Sequence, residues 1–154
     1  MGTYTDIRYD YNLPAGFGGA LKLIKEQTAS SSASISFVDG TSDVVLDSTY
    51  RTYIFKFINI HPATNNAKFA FNLSIDGGSN YNVTKTTTMF RASHDEDDSG
   101  TSFGYVASQD LAQSTDFQNI LQALGDNNDS SGSGELFLFS PSSTTFVKHF
   151  IARG

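Results

Sequence analysis

Residues 68–76, KFAFNLSID, alternate with a period of two. Phe69, Phe71, Leu73 and Ile75 fall on one side, and Lys68, Asn72, Ser74 and Asp76 on the other. Successive side chains of a strand point to opposite faces, so this pattern commits the segment to a half-buried β-strand. DGGSN follows at 76–80. Its glycines accept positive φ without steric cost and predict a hairpin turn. YNVTKTTTMFRAS, rich in β-branched residues, is then expected to return as the partner strand.

The same reading extends along the chain. DSTYRTYIFKFINIHPA carries Tyr53, Phe55 and Phe57 on one face and Ile54, Ile58 and Ile60 on the other. Apolar residues on both faces predict a central strand, which Pro62 ends. GALKLIKEQTA, from Gly19 to Ala29, alternates in part and is expected to form a first strand. SSSASISFVDG follows, with Ile35, Phe37 and a turn at Asp39-Gly40. SFGYVAS predicts a short strand, and ELFLF and TTFVKHFIAR predict two late strands bridged by SPSS. GDNNDSSGSGE reads as a flexible loop. One segment departs from period two. In STDFQNILQALGDN, Phe117, Ile120, Leu121 and Leu124 fall at i, i+3, i+4 and i+7, Thr115 with Gln118 fits a capping box, and Gly125 fits a C-cap. The spacing predicts one short helix over 116–124. About seven or eight strands with turn signals between them predict an all-β fold, an antiparallel β-sandwich of jelly-roll type with one short helix. Residues 1–18, polar and broken by Gly and Pro, are expected to form an extended N-terminal arm, and residues 19–154 the β-sandwich domain.

Composition narrows the function classes. A length of 154 residues suits one domain. Hydrophobic residues make up 38% and charged residues 17%, with 35 Ser and Thr and 13 Gly, which is the make-up of a turn-rich β domain. The formal net charge is −6, and four of those charges lie in one run, so the remainder is near neutral. No basic patch is visible, which argues against a nucleic-acid partner. The absence of cysteine excludes disulfides and thiolate metal sites. MGTYTDIRYDYNLP has no apolar leader core, and no long apolar run predicts membrane insertion. Asp6 stands where a myristoylation motif needs Ser or Thr. A β-rich chain of this kind is expected in the cytoplasm, or in a particle released by lysis.

The acidic run HDEDDSGTS, His94 to Ser102, is the first candidate site. With Asp95 at position 1 of a calcium loop, Asp97 takes position 3, Ser99 position 5 and Gly100 position 6. Position 12 is Val106 instead of a bidentate Glu, so an EF-hand fails. Asp95, Asp97 and Ser99 remain candidate ligands of an irregular calcium loop. The bland alternative is a solvated connection whose like charges discourage edge pairing. Catalytic readings find little. The carboxylates are adjacent instead of flanking a bond. His61, His94 and His149 lack metal spacing, and His149, between aromatics, is expected to be partly buried and hydrogen-bonded. No G-x-S-x-G elbow or phosphate-binding glycine loop occurs. Sequons stand at Asn72, Asn82 and Asn128 and carry weight only in a secreted protein. Tyr4, Tyr9, Tyr11, Tyr50 and Tyr81 are candidates for stacking on sugars, against ordinary packing.

Three stretches, LIKEQTASSSASISFVDGTSDVVLDSTY, YIFKFINIHPAT and GELFLFSPSSTTFVKHF, resemble segments of virion structural proteins of tailed bacteriophages, particularly marine ones. The similar stretches run from about Gly19 to Phe150. The resemblance implies a non-enzymatic virion component, tail- or fibre-associated or a capsid decoration protein. It implies self-assembly as a homo-oligomer, a trimer being plausible, and contact with other virion proteins. Tyr9, Tyr11 and Phe17 of the arm are then the expected partner contacts. Relatives of this kind continue past FVKHF with further β-rich sequence, so the last strands of the sandwich are expected to be missing here, replaced or supplied by a neighbour, which favours strand exchange or close packing between subunits. The competing reading is a module that binds a host-surface glycan, assisted by calcium at 95–98.

Overall fold

In the computed structural model, which describes residues 21–154, the chain forms seven strands. They are β1 (Thr52–Ile60), β2 (Ala67–Phe71), β3 (Phe90–His94), β4 (Thr101–Tyr105), β5 (Gln118–Leu124), β6 (Gly132–Phe139) and β7 (His149–Arg153). Three antiparallel sheets result: β1–β6–β7, β2–β5 and the hairpin β3–β4. The architecture is essentially all-β.

The core lies where the three-stranded sheet meets β2–β5. Phe57, Leu121, Leu136 and Leu138 are buried there, and Phe69, Phe71, Phe150 and Ala152 pack against them. Phe57 meets Phe69 and Phe71 meets Phe150, each pair with ring centroids 4.8 Å apart. Such aromatic pairs add about 0.5–1.5 kcal/mol each beyond area burial. Gly132 allows this approach, since a Cβ there would lie 2.6 Å from a Leu121 methyl. The far end of the same face is covered by irregular chain. Phe37 stands edge-on to Phe55 at 5.6 Å, and the buried Tyr53 donates its hydroxyl to the Asp47 carbonyl at 3.0 Å.

Several expectations are corrected. The predicted helix at 116–124 is strand β5, and the helical geometry found among the described residues is a single 3-10 turn at Ala107–Gln109. The reason is visible in the pairing. Leu124 faces Ala67, Leu121 faces Phe69 and Asn119 faces Ala70, so β5 twice spends one residue more than β2. Bulges of this kind turn a period-two strand into spacings of three. Ala123 sits at φ 54, and Gln118 is buried with its amide donating to the Gln109 carbonyl at 3.2 Å instead of capping a helix. Strand β1 is an edge and β6 the centre of its sheet. On the second apolar face of β1, Ile58 is 70% exposed, while Ile54 and Ile60 are half-buried and Ile60 packs against the core. No strand occurs in residues 21–51, so the first strand expected between Gly19 and Ala29 is absent from the described residues. The alternating strand stops at Phe71, and Ile75 is 88% exposed. The returning segment does reverse at 76–80, but up to Met89 it forms no strand, making one bridge, Lys85–Ser114, and lone backbone bonds from Val83 to Leu73 and from Thr87 to Leu111, while β5 takes the place beside β2.

Candidate functional site

Strands β3 and β4 form the hairpin that carries the acidic run at its tip. Asp95 N–H donates to the Gly100 carbonyl at 2.9 Å, and Asp98 N–H to the Asp95 carbonyl at 3.0 Å, with Asp98 at φ 60. The carboxylates bond inside their own loop. Asp97 accepts from Ser99 N–H at 3.0 Å, Asp95 accepts from the Ser99 hydroxyl at 3.5 Å, and Asp98 meets His94 Nε2 at 3.0 Å. Hydrogen bonds from Ser99 hold the Asp97 carboxyl below its ordinary value. Ser99 therefore ties Asp95 and Asp97 to the turn. Among the described residues no group of three or more His, Cys, Asp or Glu is placed to hold a metal ion.

The body of the hairpin has two unlike faces. Facing partners are Phe90 with Tyr105, Ala92 with Phe103 and His94 with Thr101 on one side, and Arg91 with Gly104 and Ser93 with Ser102 on the other. The apolar side is the more exposed one. Phe103 is 81% exposed and Phe90 62%, whereas Ser93 and Gly104, on the polar side, are half-buried. Phe90 and Tyr105 pack on each other with centroids 5.4 Å apart, and the Tyr105 hydroxyl donates to Asp110, which raises its pKa. A two-stranded hairpin with an open aromatic face lacks the burial that ordinarily sustains it.

A second cluster lies beside β2. Lys85 is buried, and its ammonium donates to Asn72 Oδ1 at 2.5 Å and to the Val83 carbonyl at 2.8 Å. The Asn72 amide is held on every side. Its Nδ2 donates to the carbonyls of Tyr81 at 2.7 Å and Thr115 at 2.9 Å, and its Oδ1 also accepts from Leu73 N–H at 2.8 Å. Lys85 is fixed from the backbone by reciprocal bonds with Ser114, at 2.8 and 3.0 Å. Burial lowers the Lys85 pKa, opposed by the charge of Asp116. Sequence reasoning placed Asn72 on the solvent side of its strand and gave Lys85 no role. The pairing of 85 with 114, which joins them, has no local signal.

Of the other predicted residues, Tyr9, Tyr11 and Phe17, with the rest of the arm, lie outside the described residues. His149 is exposed, not partly buried, because it faces away from the core at the start of β7. His61 Nδ1 lies 2.7 Å from the Ser130 carbonyl. An open hollow of about 500 Å³ beside β1 and β6 is crossed by a charged ladder in which Glu135 bonds Arg153 Nε at 2.6 Å and meets Lys56 at 3.9 Å. Its one carboxylate is paired with two cations, which leaves it no second acid to work against. No family model, curated protein or solved structure matches the chain.

Proposed function

We propose that this chain is a non-enzymatic structural protein of a tailed-bacteriophage virion, tail- or fibre-associated or a capsid decoration component. It acts by assembling with copies of itself and with other virion proteins. The observation that carries the reading is the balance of apolar burial. Among the described residues six apolar side chains are buried, while twelve large ones, including Phe90, Phe103, Phe146 and Ile151, are exposed. Burial of such surface is the main favourable term in both folding and association. A chain that leaves this much of it open is built to be covered. The jelly-roll sandwich is the form we assign to the assembled protein, with neighbours completing the three small sheets. The stacking of β2–β5 on β1–β6–β7 supports that form, as does the outer edge of β7, which pairs with no strand among the described residues.

Mass-resolved sizing of the purified chain, with and without a calcium chelator, tests the proposal. A trimer or larger assembly indifferent to chelation is expected. A monomer would overturn it. If that monomer also melted lower on chelation, the glycan-binding module with calcium at Asp95, Asp97 and Ser99 would take its place.

A further inference from the structure

We infer that Lys85 and Asn72 are the two ends of a self-formed isopeptide cross-link, and that the chain catalyses this bond on itself. The geometry has the parts such a reaction needs. The nucleophile is an amine, and amines attack only when neutral, which burial favours. The electrophile is a primary carboxamide already in contact with it, Lys85 Nζ lying 2.5 Å from Asn72 Oδ1. The carboxamide cannot turn away, because Tyr81 and Thr115 hold its nitrogen. Leu73 N–H, 2.8 Å from Oδ1, is a fixed donor where negative charge develops. Asp116 is the charged group that acts on the amine, and it follows the Ser114 that pins Lys85.

The step balances without any added reagent. The ammonium passes a proton by way of solvent to the exposed Asp116 carboxylate, whose charge acts on it without an ion pair between them. Neutral Nζ attacks Asn72 Cγ, forming the Nζ–Cγ bond and placing negative charge on Oδ1, opposite Leu73 N–H. One of the two protons left on Nζ passes to Nδ2, the Cγ–Nδ2 bond breaks as the carbonyl re-forms, and the departing ammonia takes back the proton held by Asp116 and leaves as ammonium. One amide replaces another, so no oxidant, nucleotide or metal is consumed. Holding both groups within contact supplies the effective concentration that makes an amine–amide exchange feasible. The product closes a covalent ring from 72 to 85 around the turn at 76–80, which suits a domain with few buried apolar side chains and no cysteine.

The test is mass spectrometry of the purified full-length chain under denaturing conditions. Linkage removes one ammonia, a loss of about 17 Da relative to the sequence mass. Trypsin then fails to cut after Lys85 and yields one peptide from Phe69 to Arg91. Cleavage beside Asp76 leaves its halves joined. Asn72→Ala and Lys85→Arg restore the full mass. Asp116→Asn slows formation at least tenfold when the reaction is followed from freshly made protein. A wild-type chain of full mass would overturn the inference. So would an ammonia loss with normal cleavage after Lys85, which would mark a cyclised asparagine instead. Both readings come from the wild type, so a variant that fails to fold does not obscure the result.

Discussion

Asp76 shows how much one exposed side chain organises here. Its Oδ1 accepts from the Ser74 hydroxyl at 2.7 Å and from Asn80 N–H at 2.9 Å, and its Oδ2 from Asn80 Nδ2 at 2.7 Å. These bonds, that from Ser74 foremost, hold its pKa at about 2. The unfolded carboxyl titrates near 3.9, so folding favours the ionised form. The stabilisation is complete above about pH 4 and is lost as the pH falls toward about 2. The melting temperature should therefore drop across that window, and Asp76→Asn should start lower at pH 7 and drop less. An unchanged slope in the variant would show that Asp47 or Asp97, also held low by hydrogen bonds, carries the effect. Two residues on, Gly78 sits at φ +82, and a Cβ there would meet a Val38 methyl at 2.8 Å and the Tyr81 hydroxyl at 3.1 Å. Gly78→Ala should cost about 1–3 kcal/mol in denaturant unfolding. The turn itself was legible, because DGGSN names its own backbone. The crowding was not, because Val38 arrives from forty residues earlier, as Asn72 and Lys85 are joined through distant Ser114.

At the scale of elements, β5 separates a helix from a bulged strand by one substitution. Ala123 stands at φ 54, where a side chain is strained and glycine is not. In a helix, Ala123→Gly would cost about 1 kcal/mol. In the bulged strand, relief of strain offsets the extra freedom of the unfolded chain, so stability should be unchanged or slightly raised. A denaturation midpoint lowered by the full helical penalty would restore the helix. Leu121→Ala, by contrast, removes a buried side chain packed between the two sheets and should cost about 2–5 kcal/mol. The strands β1, β2, β4, β6 and β7 were all legible, because their apolar residues alternate or cluster between turn signals. β5 was not, since two bulges reproduce the spacing of an amphipathic helix, and pairing with β2 overrides local preference. The apparent centrality of β1 misled for a related reason. Apolar residues on both faces of a strand mark surface to be covered, and a neighbouring molecule serves as well as a neighbouring sheet.

The whole molecule poses that question most sharply at the β3–β4 hairpin. The sequence marked a short strand near 101–105, but only the pairing with 90–94 puts Phe90, Phe103 and Tyr105 on one face, and only the fold shows that face to be exposed. Phe90 and Phe103 are 62% and 81% exposed, so replacing both by serine removes little that holds the monomer together. Exposed substitutions of this kind usually change stability by less than about 0.5 kcal/mol. If the hairpin is an assembly surface, the double variant should sediment as smaller species while melting within a few degrees of wild type. Each aromatic ring buried in an interface contributes about 1.5–3 kcal/mol, so losing two would weaken one contact by well over tenfold. An assembly that persists would move the interface to the outer face of β1–β6–β7, where Ile58 and Ile151 stand 70% and 61% exposed. Charged replacements at those two positions would then be the ones that disperse the assembly.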